Sequence, residues 1–374
     1  MEYESTVDGI QPLHATVYGP EIPSKNTNPI LVLVHDFRGS GEELFETARY
    51  YASKNITCII PEMRGYNESA GERDFGCWEI FDIVDSIAEF YRLHPEYFLE
   101  VQPLETPLES ILKAHNPNIH IWGFIGGGSI VYSALAKFPY LFRSAASFFG
   151  IADIAELYKL NLRKDFNVIM RKFIGGTPEQ NQIAWKTRNN VNALKNTLTK
   201  LFVFWDRDNS IYPFSLLQPI LELEQKNLFI YLTEKSDVYR WKPGYFNCFE
   251  DFEAAEKILL KEIETNPVDG EKGHFLIPKE KWSQNLQMKS KMRMIVAGYL
   301  CTPLFIAIVN TGREGVSEIK YEIIEQSLLD STIKVEIDEE KGEKVFYHPI
   351  DSSHYIILKI FNLGGDTPFE IRFL

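Results

Sequence analysis

Ile119-His120-Ile121-Trp122-Gly123-Phe124-Ile125-Gly126-Gly127-Gly128 is an apolar run that ends in glycines and passes into the helical pattern Ile130, Ala134 and Phe138. A strand that turns this abruptly into a helix puts the residue at its apex into strained backbone angles. The positions two residues before and after the apex must then be small to avoid collision. Gly123 and Gly127 meet that demand around Ile125. The spacing predicts an apex side chain held up at the top of a sheet, with the amide of Gly126 directed outward beside it. A glycine turn of the dinucleotide-binding kind fits less well. It requires G-x-G-x-x-G after a first strand, whereas this segment follows the third or fourth strand of the core.

Working outward, short apolar runs alternate with amphipathic stretches between residues 30 and 232, which predicts an α/β fold with a mostly parallel sheet covered on both faces. The runs are Ile30–Val34, Ile56–Ile60, Ile119–Trp122, Ala145–Phe149, Leu201–Trp205 and Leu228–Leu232. Glu43–Ser53, Trp78–Tyr91 and Gly127–Phe138 carry apolar residues at helical spacing and read as crossover helices, the last closed by Pro139. His14–Tyr18 alternates and is expected as an antiparallel edge of the sheet. Residues 151–200 read as a small helical cap over the strand ends. Pro95–Pro117 and Asp237–Gly273 look inserted, and Trp282, Leu286, Ile295, Val296, Tyr299 and Leu300 suggest a closing helix across 279–300. From residue 301 to 374 β-rich runs follow without helical crossovers: Leu304–Val309, Ile319–Ile324, Ile333–Ile337, Tyr355–Phe361 and Phe369–Phe373. The charged stretch 338–344 reads as a solvated hairpin tip. The expected division is therefore a first domain over 1–300 and a small β-rich domain over 301–374.

Landmarks at four other places agree with the elbow at 123–127, and together they resemble the α/β-hydrolase family, in particular its prolyl-oligopeptidase-like and acyl-peptidase-like branches. His35-Asp36-Phe37-Arg38-Gly39-Ser40 resembles the His-Gly-x loop that supplies an oxyanion amide, here from Phe37. Pro61-Glu62-Met63-Arg64-Gly65 resembles the Pro-Asp-x-Arg-Gly turn. Asp208 stands where the family's acid belongs and His274, in Gly273-His274-Phe275, where its histidine belongs. The resemblance covers about residues 10–300 and implies an α/β-hydrolase fold, a catalytic set at positions 125, 208 and 274, and an oxyanion hole from the amides of Phe37 and Gly126.

The pattern is broken where the chemistry is done. The apex is Ile125, and a branched hydrocarbon has no atom that can attack a carbonyl. Asp36 takes the place of a glycine in the oxyanion loop, where a carboxylate would oppose the charge the hole is built to stabilise. Ser129 follows the apex by one helical turn, where its hydroxyl is expected on a backbone carbonyl. Cys77 has no adjoining basic residue to lower its pKa and reads as a structural thiol. Asp206 competes with Asp208 for the acid's place. The remaining histidines show no H-x-x-H spacing, so no metal site and no cofactor are expected.

Composition bounds the rest. A chain of 374 residues with 39 basic and 52 acidic side chains, a formal charge of −13, repels phosphate backbones and anionic lipid, so neither nucleic acid nor membrane is expected as a partner. No leader or spanning segment is readable and the four cysteines are unframed, giving a cytoplasmic expectation. Three readings of function stand. In the first, hydrolysis is weak or absent and the site binds a small acyl or peptide-like ligand, or supports non-covalent chemistry with His274. In the second, the chain is a nucleophile-substituted form of an active esterase or peptidase. In the third, it is an interaction protein whose β-rich part recruits a partner or a second copy as a homodimer.

Overall fold

A computed structural model describes residues 1–5, 9–20, 29–94, 118–138, 141–186, 188–194, 197, 199–207, 212–223, 227–233 and 252–264, followed by the backbone of the eight strands given last below. Pro95–Pro117, Pro139, Asp208, His274, Cys248 and Cys301 lie outside these residues.

Eight strands form the first sheet: β1 Glu2–Tyr3, β2 Leu13–Tyr18, β3 Ile30–Val34, β4 Thr57–Glu62, β5 Ile119–Phe124, β6 Ser144–Phe148, β7 Lys200–Asp206 and β8 Leu228–Thr233. Their order is β1-β2-β4-β3-β5-β6-β7-β8. β2 runs antiparallel to β4, as its alternation predicts, and β1 extends the sheet one strand further. Every pair from β4 to β8 is parallel. The central strands are buried along their whole length because helices cover both faces, which is why they read as continuous apolar runs. In-register pairing stacks Phe124, Phe148, Phe204 and Tyr231 across four neighbouring strands, with ring centroids 4.7, 4.6 and 5.2 Å apart.

The crossover helices are α1 Phe45–Ala52, α2 Glu79–Leu93 and α3 Gly126–Lys137, close to their expected bounds. The cap region holds α4 Ile154–Leu160, α5 Lys164–Ile174, α6 Gln182–Lys186 and α7 Val191–Leu194. It is anchored by buried side chains: Arg188 Nε donates to the Asp74 carbonyl at 2.5 Å and Asn190 Nδ2 to Ser133 Oγ on α3 at 2.6 Å. Beyond β7 come α8 Gln218–Leu221 and α9 Phe252–Glu264.

The closing helix expected over 279–300 is not there. The chain instead forms β9 Trp282–Met288 and β10 Arg293–Leu300, and the closing helix is α9, inside the stretch read as an insertion. Ala255, Leu259 and Ile263 form its buried stripe, and Tyr51 of α1 donates to Glu256 at 3.0 Å. The misreading has a physical origin: a spacing of four, as between Trp282 and Leu286, is shared by one face of a helix and one face of a strand. The residues from β9 onward form two further antiparallel sheets with β11 Leu304–Asn310, β12 Ile319–Glu325, β13 Lys334–Asp338, β14 Glu343–His348, β15 His354–Asn362 and β16 Thr367–Phe373. Their orders are β10-β15-β12 and β13-β14-β11-β16-β9. β9 and β10 therefore pair with the tail strands rather than with the parallel sheet. Glu343 and Lys344, read as part of a hairpin tip, begin β14, whose Val345, Phe346 and Tyr347 supply the β-forming residues. Among the described residues no helix is long and apolar enough to cross a membrane.

Candidate active site at the strand-to-helix elbow

Ile125 sits between β5 and α3 with φ 53° and ψ −108°, a backbone state that a β-branched residue rarely takes. The turn is held from both sides. The Ile125 amide donates to the Phe148 carbonyl at 2.7 Å, and its carbonyl accepts the first helical bond from the Ser129 amide at 3.0 Å. The two flanking glycines are required by space: a Cβ on Gly123 would strike the Gly127 backbone, and one on Gly127 would strike the carbonyls of Val34 and His35. The side chain of Ile125 is half-buried and packs against the core rim. Ser129 Oγ donates to the Ile125 carbonyl at 3.3 Å and accepts from the Ile151 amide at 2.8 Å, the backbone role expected of it. Cys77 is fully buried.

The loop after β3 faces this elbow. His35, fully buried, donates from Nδ1 to the Asp36 carbonyl at 2.9 Å and accepts at Nε2 from the Met63 amide at 3.3 Å. Burial lowers its pKa to about 4, so the ring is neutral near pH 7 and its 3.6 Å approach to Glu62 Oε1 is not an ion pair. The next carbonyl, that of Phe37, accepts from Tyr66 Oη at 2.6 Å. Phe37 is buried, its ring 4.7 Å from that of Phe75, and Phe75 meets Phe166 and Phe173 of α5. The cap thus reaches the loop that approaches the elbow through Phe75.

The amide of Gly126 donates to Asp36 Oδ1 at 2.9 Å. The amides of Phe37 and Arg38 lie near the same carboxylate. Burial raises the pKa of Asp36, while these amides and the Arg38 guanidinium pull it back down. Of the two amides that the sequence assigned to an oxyanion hole, that of Gly126 therefore serves a side chain of the protein itself. Tyr212 lies in the field of Asp36, Arg38 and Arg163, and burial raises its pKa. Of the two acids considered, Asp206 is the buried last residue of β7; Asp208 and His274 fall outside the described residues. Among the described residues no group of three or more His, Cys, Asp or Glu side chains is placed to hold a metal ion.

The turn after β4 contains a pair that sequence inspection did not supply. Arg64 donates from Nε and Nη2 to the two oxygens of Asp82 on α2, at 2.5 and 2.7 Å, with both side chains 1% exposed. Arg64 was legible in the Arg-Gly turn. Asp82 follows eighteen residues later in an ordinary amphipathic helix, and nothing in the pattern marks it.

No family model and no curated protein matches this sequence. Solved structures do match. Acylaminoacyl peptidase of Pyrococcus horikoshii superposes with a TM-score of 0.52 at 19% identity, over 70% of this chain and 41% of the peptidase. Puromycin hydrolase gives 0.52 at 14% identity, over 70% and 39%, and dipeptidyl peptidase 4 of Porphyromonas gingivalis gives 0.50 at 13%, over 70% and 35%. The fold is that of the α/β-hydrolases. The chain spans less than half the length of each of these three proteins.

Proposed function

We propose that the protein is an α/β-hydrolase-fold protein without serine-hydrolase chemistry at its elbow, and that it binds a small acyl or peptide-like ligand non-covalently above the strand ends, under the cap. The observation that carries the reading is Ile125 at φ 53° on the apex, the position from which an attacking oxygen would act. Fold alone would not suffice, since one fold hosts many activities. The acid Asp208 and the base His274 belong to the proposal as an inherited pair that can orient and move a proton but has no oxygen at the apex to activate. Turnover of short-chain acyl esters tests the reading. The natural protein is expected to match buffer alone, while Ile125→Ser combined with Asp36→Gly, which frees the Gly126 amide, gains measurable hydrolysis. Ester turnover by the natural protein that persists after purification to homogeneity would overturn it.

A further inference from the structure

We propose that α4 and α5 form a flap over the elbow, hung at both ends from the rest of the cap and latched shut on the ring of Phe75, so that a ligand reaches the elbow only when this pair of helices lifts. The inference deepens the reading of the elbow as a ligand site and rests on it. A continuous line of rings joins elbow to flap. The Phe37 ring lies against Gly126, where an added Cβ would come within 2.5 Å of it, and the Phe75 ring stands 4.7 Å from that of Phe37. Phe166 and Phe173 of α5 meet Phe75 in turn, with centroids 5.6 and 6.2 Å away. Phe37, Phe75 and Phe166 are buried, so in this closed form aromatic side chains fill the way from the flap to Gly126.

The latch stands on a fixed post. Phe75 and Gly76 hold φ of 59° and 93°, and two buried carboxylates keep them there. Asp74 Oδ1 accepts from the amides of Gly76 and Cys77 at 3.2 and 3.1 Å and Oδ2 from that of Trp78, while Glu79 accepts from the amides of Asp74 and Gly76 at 3.1 and 2.8 Å. The second half of the cap is bonded to the core, Arg188 to this post and Asn190 to α3. The first half meets the post through rings instead, and each of its ends is tied to the second half. At one end Asn189 Nδ2 donates to Asp153 Oδ2 at 2.7 Å, and Asp153 caps α4 through the Ala155 amide at 2.9 Å. At the other, Gly175 and Gly176 follow α5 with φ of 87° and 101°, and their carbonyls accept from Asn181 Nδ2 at 3.0 Å and Trp185 Nε1 at 3.2 Å. Two glycines in succession absorb a backbone rotation that side chains would resist. Between these ends the helices are one piece, because Asn167 Nδ2 on α5 donates to the Tyr158 carbonyl at 3.0 Å and to Asn161 Oδ1 at 3.1 Å. Tyr158 meets Trp185 of α6 edge-on at 4.9 Å, the bearing on which the pair turns.

Hydrogen–deuterium exchange of the full chain, natural and with Phe75→Ala or Phe173→Ala, tests the proposal by peptide mass spectrometry, with circular dichroism confirming the fold. Removing either ring unlatches the flap, so the amides of α4 and α5 are expected to exchange at least tenfold faster, while those of α3 and β5 keep the natural rate. Met170, fully buried on α5, is expected to be oxidised by peroxide at least tenfold faster in the same variants. Phe173 is only half-buried, so its variant carries the test where Phe75→Ala fails to fold. No acceleration in folded Phe173→Ala, acceleration of α5 without α4, an equal acceleration in α3 and β5, or loss of folding in both variants overturns the proposal. Exchange is read without a ligand, so ester turnover by the natural protein would defeat the non-hydrolytic reading and leave this result as it stands.

Discussion

At single residues the balance between burial and partners decides most of what this site does. Ile125 holds a positive φ with a branched side chain, a strain of about 1–3 kcal/mol that persists because β5, β6 and α3 all fix the turn. Arg64 and Asp82 show the opposite economy: two charges removed from water stand together because each satisfies the other's hydrogen-bonding groups. Asp82→Ala leaves the buried guanidinium unpaired and is expected to lower unfolding free energy by about 3–5 kcal/mol in urea. A loss below 1 kcal/mol would show that the pair is solvated. Residue-scale legibility was uneven for a related reason. Gly123, Ile125 and Gly127 were readable because a steric rule fixes residue type at fixed spacing, and Phe37 and Asp36 because they sit beside a recognisable histidine. The bond from Gly126 to Asp36 joins residues ninety positions apart, and only the fold brings them together.

At the scale of elements, the strands of the parallel sheet were legible because burial on both faces leaves no room for polar residues, whereas the tail's first strands were read as a helix because their apolar spacing of four is shared by both structures. α9 went unread for a different reason: its stripe Ala255, Leu259, Ile263 lies in a long stretch between the last parallel strand and the histidine, and was assigned with its surroundings as an insertion. The aromatic ladder gives the sheet its testable joint. Phe204 is fully buried and stacked between Phe148 and Tyr231. Phe204→Ala is expected to cost about 3–5 kcal/mol by denaturant unfolding, with the slope of the transition unchanged. A cost near zero would mean that neighbouring rings close the gap.

For the whole molecule, pH acts through groups that folding has removed from water. His35 and His120 are buried and neutral, with burial lowering their pKa values to about 4 and about 3. Unfolding returns them to about 6.5, so the unfolded chain binds more protons below that pH and stability falls as pH drops from 6.5 toward 4. His120 accepts from Ser144 Oγ at 2.7 Å and donates to Asn118 Oδ1 at 3.0 Å, so His120→Gln is expected to flatten this acid limb in unfolding midpoints measured between pH 7 and 4. An unchanged slope would remove His120 from the account. Glu79 works in the other direction. Burial first, and Asp74 second, raise its pKa to about 8, so its contribution is complete below about 4.5 and is lost as pH rises through 8. Relative to Glu79→Gln, the natural protein should lose stability between pH 5 and 9, and parallel curves for the two would refute this.

Loss of the attacking oxygen at the elbow is the claim on which the functional account stands. Incubation of the natural protein with a fluorophosphonate probe, followed by intact-mass and peptide mass spectrometry, tests it most directly. The account predicts no adduct on any residue, and stoichiometric labelling of any serine would contradict it.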